Sequence, residues 1–355
     1  MNLSQRFKIQ LHHDFWERKV QNQPLISTSL SGWFIKNQFS CLDRLLIKGQ
    51  EILPEMIRPE DFIADYERQY RESLLIPQNT FWSGCPFTGI PWMEAFMGCK
   101  VYAMEESFIS QPSNPSLEEL VEFKLDPENP WYKLYWVFMG KLVELSAGRF
   151  PINKSLLRGP TDVLGALIGQ TEMIYALYDN PDKIKKVISS ITSVFKTIMA
   201  EQYKRIPSFL GGYSMTIFNI WAPGKVTLYQ DDAAAILSPV LYSDFFAKAG
   251  EDICDGYDYT AIHVHPTAFH TIDDLLGNEK LKVIEINKDE GGPSVEEMLP
   301  ILKKVNNKKN LILWGEFSKK DLVLLKRELN PVGVAYSLLV KSKEEAEELY
   351  NVLCS

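Results

Sequence analysis

The chain predicts an α/β protein closed as a (β/α)8 barrel, with a mostly helical N-terminal extension, and three observations lead there. From about residue 150, short apolar strands alternate with helices of about ten residues, the rhythm of parallel βαβ units. The 355 residues supply core for one large domain, with 1–100 as a helical cover and 101–355 as the barrel. Neither a G-x-G-x-x-G turn nor a P-loop is present, which weakens the open, nucleotide-binding α/β alternatives.

The elements follow in order. The Pro-rich stretches at 111–115 and 126–130 are loops within the domain, since composition is the same on either side of them. The apolar run Leu156-Leu157-Arg158 is a strand closed by the turn Gly159-Pro160, followed by a helical pattern over 161–177. Asp179-Asn180-Pro181 ends that helix, and a long amphipathic helix covers 182–205. Strands at 218–221 and 226–229 flank the turn Ala222-Pro223-Gly224. A helix at 242–254 leads into strand 259–265 and a short helix at 268–276. Strands at 282–286, 310–314 and 333–339 then alternate with helices at 295–305, 319–329 and 343–352.

Composition bounds the function. The chain is 45% hydrophobic and 24% charged, ordinary for a globular protein. Lys and Arg number 38 against 46 Asp and Glu, a net charge of −8, so there is no basic field to draw nucleic acid. No apolar run reaches the roughly 18–20 residues that span a bilayer. The N-terminus has no signal-type apolar core, so a cytoplasmic protein without a membrane or nucleic-acid partner is expected. Five scattered cysteines with no C-x-x-C pair are expected to be free thiols.

In a barrel, the C-terminal ends of the strands form the working face. Along 259–266, alternation sets Thr260, Ile262 and Val264 on one side and Ala261, His263 and His265 on the other. The histidines then point inward just before Pro266 ends the strand. A His-x-His pair on one strand face can bind zinc with a third ligand from elsewhere, or can act as general acid or base near neutral pH. His270 follows closely and is a further catalytic candidate. Asp231 and Asp232 end the strand at 226–229 and offer either a helix cap or a base at the mouth. Arg158, Trp221 and Glu316 also end strands; with Trp92, in Pro91-Trp92-Met93-Glu94, they are the substrate-binding candidates, Arg158 as a cation suited to a carboxylate.

At these residues the chain resembles the uroporphyrinogen decarboxylase superfamily, which includes the decarboxylase, corrinoid-linked methyltransferases and uncharacterised relatives. The resemblance spans about half of the chain, from Leu157 to Leu349. It rests on Arg158-Gly159-Pro160-Thr161-Asp162, on Asp231-Asp232 with Leu237-Ser238-Pro239 and Tyr242-Ser243-Asp244-Phe245-Phe246, and on His263 followed by Leu275-Leu276. Pro91-Trp92-Met93-Glu94-Ala95 with Gly98-Cys99 extends it toward the uncharacterised relatives. The resemblance implies a (β/α)8 barrel.

Departures from the family pattern shift the expected activity. The decarboxylase carries an R-Q-A-G-R-Y segment that grips substrate carboxylates, and nothing like it stands around Pro24–Thr28 or Ser31-Gly32-Trp33. The methyltransferase branch holds zinc with His-x-Cys on one strand and a Cys on the final strand. Here His263 keeps the first position, His265 replaces the first Cys, and 333–337 contains none. No D-x-H-x-x-G corrinoid segment is present, so a corrinoid would arrive on a partner protein. The resemblance therefore implies methyl transfer on a small molecule with zinc at the barrel mouth. The alternatives are a decarboxylating lyase and a non-catalytic barrel that binds a tetrapyrrole or other small ligand.

Overall fold

A computed structural model describes residues 3–20, 23–30, 35–215 and 217–355; part of the region compared with the arginine-rich segment, Ser31-Gly32-Trp33, lies outside them. Seven strands form one parallel sheet: β1 (Leu25–Ser29), β2 (Leu157–Arg158), β3 (Val226–Gln230), β4 (Tyr259–Val264), β5 (Val283–Lys288), β6 (Asn310–Gly315) and β7 (Val334–Leu339). Their spatial order is β1-β7-β6-β5-β4-β3-β2. The strands after residue 225 are nearly continuous apolar runs buried on both faces, as parallel strands are when helices cover them. Two further segments run between the edge strands. Asn79 N donates to Ile26 O on β1 at 3.0 Å, and Gly84 forms a parallel bridge with Ile152, just ahead of β2.

Period-two alternation divides the inner face into layers. Leu25, Leu228, Ala261, Val283, Ile312 and Ala335 form one apolar layer, closed off by Phe15 and Trp16 of the N-terminal helix Leu3–Trp16. Two residues further along the strands, on the same face, stand Ser27, Gln230, His263, Glu285, Trp314 and Ser337. Register places Arg158 opposite Gln230, Gln230 opposite His263, and His263 opposite Glu285. One polar row thus crosses four neighbouring strands at their C-terminal ends.

Three expectations are corrected. The first hundred residues do contain helices, but they also contribute β1, which pairs with β7 inside the main sheet. The sequence Leu-Ile-Ser-Thr-Ser is short and half polar, and pairing against Ala335–Leu339 makes it a strand. The stretch 218–221 is not a strand of the main sheet. Ile220–Ala222 pairs antiparallel with Tyr213–Met215 in a separate hairpin. The helix at 161–177 is two helices, Pro160–Ile168 and Gln170–Asp179, broken at Gly169. Gly169 has φ +92°, a conformation that disfavours any side chain. Among the described residues, no helix is long and apolar enough to cross a membrane.

Lys154, just ahead of β2, is almost fully buried, and its ammonium donates to Leu228 O and Ser155 O. Burial pulls its pKa down from the usual 10.5 to about 7, only partly opposed by the nearby Cys85 thiol. The unfolded chain therefore holds this proton up to pH 10.5 while the folded one releases it near 7. The cost of burial is full below pH 7 and fades as pH rises toward 10.5. Lys154→Met is expected to show its most favourable stability relative to the parent at or below pH 7. The difference should shift toward the parent by up to about 1.4 kcal/mol per pH unit between 7 and 10. Denaturant titrations of both proteins across that range check this, and a pH-independent difference would contradict it.

Candidate metal centre and active-site cavity

His263 is the next-to-last residue of β4, and His265 follows the strand at the last position before Pro266. Asp232 stands two residues after Gln230, the last residue of β3. One ligand atom from each of the three side chains lies within 4.8 Å of the other two. The far nitrogens of both imidazoles are already committed to carboxylates. His263 Nδ1 is bonded to Glu285 Oε2, on the neighbouring strand, and His265 Nδ1 lies 2.7 Å from Asp289 Oδ1. Asn287 donates to the same Asp289 oxygen and steadies it.

The protons follow from this network. A carboxylate at each Nδ1 accepts an N–H, so each neutral ring presents its Nε2 lone pair at the other end. The two Nε2 atoms are 3.0 Å apart. Two lone pairs at that distance repel unless a proton or a metal ion sits between them. Asp232 Oδ1 is buried without a hydrogen-bond partner, 3.9 Å from His265 Nε2, and adds a third donor to the same place. One extra proton meets the need: burial lowers the His263 pKa, but the Glu285 carboxylate, with Asp232 and Asp289 beyond it, outweighs burial and pushes it up to about 9. A divalent ion meets it as well, and carboxylates behind metal-binding histidines are what set the tautomer and raise ligand basicity in such sites.

The three side chains border a cavity of about 780 Å³. Trp92, Arg158, Asn219, Gln230 and Trp314 also line it. The Trp314 ring meets His263 edge-on, at 5.7 Å between centroids. Arg158 is the only Lys or Arg lining the cavity among the described residues, and its charge is already matched. Its Nη1 donates to Glu94 Oε1 at 2.6 Å, and Glu94 is fully buried. The Glu94 carboxylate holds the guanidinium well above the usual arginine range. With Arg158 paired, the cavity has no uncompensated lysine or arginine among the described residues to hold a polyanion.

The other expected site residues lie elsewhere. Asp231 points away from the cavity, its Oδ1 accepting from Thr161 N at 3.0 Å and Thr161 Oγ1 at 2.7 Å. It caps the helix Pro160–Ile168, whose own N-cap is Gly159. A Cβ at Gly159 would sit 2.5 Å from Asp231 Oδ1, so glycine there is what lets the cap reach in. Burial pushes the Asp231 carboxyl up to about 7, against the two Thr161 hydrogen bonds. Trp221 is buried against Phe81 and Phe209 and donates to Phe209 O, because its strand belongs to the hairpin. Glu316 pairs with Lys341 and lines a separate cavity of about 370 Å³. His270 sits in the turn Pro266–Thr271 and does not line the main cavity. Glu285, Asp289, Glu94 and Gln230 are part of the site and were not expected from the sequence. Glu285 had a signal, as the one charge inside the apolar run 283–286.

No family model matches the chain, and no curated protein matches it. Among solved structures, it is similar to a methyltransferase from Methanosarcina mazei, with a TM-score of 0.65 and 14% identity over 97% of each chain. It is also similar to a B12-independent methionine synthase from Shewanella sp. W3-18-1, with a TM-score of 0.50 and 10% identity over 93% of this chain and 96% of that one. At such identities the likeness is one of fold, an α/β protein with a parallel sheet.

If Asp231 is a cap and Asp232 a ligand, the two neighbours separate by substitution. Asp231→Ala is expected to cost about 1–2 kcal/mol of stability, with Asp231→Asn recovering most of it, and neither is expected to change metal uptake. Thermal melts and metal analysis check this; loss of metal in the Asp231 variants at unchanged stability would contradict the assignment.

Proposed function

We propose that this protein is a metal-assisted methyltransferase of the uroporphyrinogen decarboxylase-like type, acting on a small molecule in corrinoid-linked one-carbon metabolism. In this reading the sheet closes into a barrel through segments 79–85 and 151–153. The observation that carries the proposal is the meeting of two Nε2 lone pairs and the orphaned Asp232 Oδ1 at one point beside a large cavity. The fold likeness to a methyltransferase and a methionine synthase supports the choice of chemistry.

His263, His265 and Asp232 would hold a zinc ion. When bound, zinc supplies Lewis acidity that lowers the pKa of a coordinated thiol or water. Two nitrogens and one oxygen from the protein leave room in a four-coordinate set for an exchangeable ligand, as in catalytic rather than structural sites. Glu285 and Asp289 fix the two imidazoles in the Nδ1–H form and orient them. Arg158, steadied by Glu94, presents its remaining N–H groups to a polar part of the substrate. Trp92 and Trp314 provide apolar wall. A corrinoid, which has no binding segment in this chain, would be delivered by a partner protein.

The matched charge on Arg158 disfavours the decarboxylase reading, since a polycarboxylated pyrrole would bring several uncompensated charges into the cavity. The purified protein should transfer methyl groups from a methylated corrinoid protein to a thiol in a zinc-dependent way. His263→Ala should lower the rate by at least about 100-fold with the fold intact. Single-turnover assays with and without chelation check this. Chelator-resistant release of CO2 from a carboxylated pyrrole would replace the proposal with a lyase. Ligand binding with no turnover would replace it with a non-catalytic barrel.

A further inference from the structure

We infer that Gln230 is a positioning residue for the metal centre, one that decides which oxygen of Asp232 is offered to the ion. The inference rests on the metal reading above and adds to it a residue outside the donor set.

Asp232 lies just beyond β3, on a partly exposed turn, so its carboxylate has no strand to hold it. Gln230 supplies that hold. Its Nε2 donates to Asp232 Oδ2 at 2.7 Å, while Oδ1 keeps no hydrogen bond and faces His265 Nε2. The second oxygen near the same amide nitrogen is Asp162 Oδ2, at 3.5 Å. The close Asp232 carboxylate oxygen is an acceptor, so the NH2 end of the amide is assigned toward it. Asp162 is itself anchored, its Oδ1 accepting from Ala233 N at 2.6 Å. The amide therefore spans from an anchored carboxyl group to a less constrained one.

The backbone beneath Gln230 is also rigid. It ends β3 between Arg158 on one side and His263 on the other, and its carbonyl accepts from Gly159 N at 2.6 Å. A glutamine starting from that point reaches Asp232 with few alternatives. Leucine or methionine at the same place would fill similar volume but would leave Oδ2 free to compete with Oδ1, so the carboxylate could rotate away from the two imidazoles. Removing such an outer partner commonly weakens metal affinity by about 10–100-fold.

A double-mutant cycle tests the assignment. Zinc affinity is measured by competition with a chromophoric chelator for the parent, Gln230→Met, Asp232→Ala and the double variant, with melts of the metal-free proteins alongside. Gln230→Met is expected to bind zinc about 10–100-fold more weakly than the parent, yet to change affinity less than about twofold when Asp232 is already Ala. A purely structural role would lower the metal-free melting temperature without that coupling. Parent-like affinity in Gln230→Met, or an equal loss in the Asp232→Ala background, overturns the inference while leaving the metal centre standing. A parent that binds no zinc overturns the metal reading itself, and this inference with it.

Discussion

Two imidazoles whose outer nitrogens both meet carboxylates, and whose inner nitrogens are 3.0 Å apart, need a proton or a metal ion between them. The rest of the site is arranged around that requirement. Glu285 is fully buried directly across the register from His263, and Asp289 stands beyond the end of its strand beside His265. The desolvation of these acids is offset only if the histidines and what they hold carry charge. Asp232 brings a third donor atom to the same place, a set that could hold a metal ion.

The layer order of the sheet puts this arrangement where substrate can reach it. The inner face is apolar through Leu228, Ala261, Val283, Ile312 and Ala335 and turns polar one repeat later. The switch comes at the strands' C-terminal ends, the side on which parallel α/β sheets form their ligand crevices. The apolar layer and the N-terminal helix close one end, while the polar layer opens on the cavity. Arg158 belongs to the same row, but Glu94 absorbs its charge, so the cavity combines a potential metal centre with a nearly neutral anchor. That balance separates this site from one built to grip many carboxylates.

Much of the fold was legible because it is written in short periods. The strands and helices after residue 225 follow alternating apolar runs and turn residues, and the observed elements sit close to those expectations. The inward direction of His263 and His265 came from the same two-residue period. What stayed hidden depends on contacts between distant segments. β1 is too short and too polar to read as a strand of the main sheet until the last strand pairs with it. Asp231 and Asp232 are adjacent, and only Thr161, seventy positions away, decides that one caps a helix while the other faces the cavity. Trp221 lies within the short strand Ile220–Ala222 and not at its end, and that strand belongs to a hairpin outside the main sheet. Glu94 and Asp289 carry no local signal, because each matters only through a partner more than twenty residues away.

The measurement that bears most directly on this account is the metal content of chelator-washed protein after exposure to zinc and desalting, set beside a His263→Ala, His265→Ala variant shown by circular dichroism to be folded. The account predicts about one tightly held zinc per parent chain, from one three-donor site, and none in the variant. A parent that retains no metal, or a folded variant that retains as much as the parent, would contradict it.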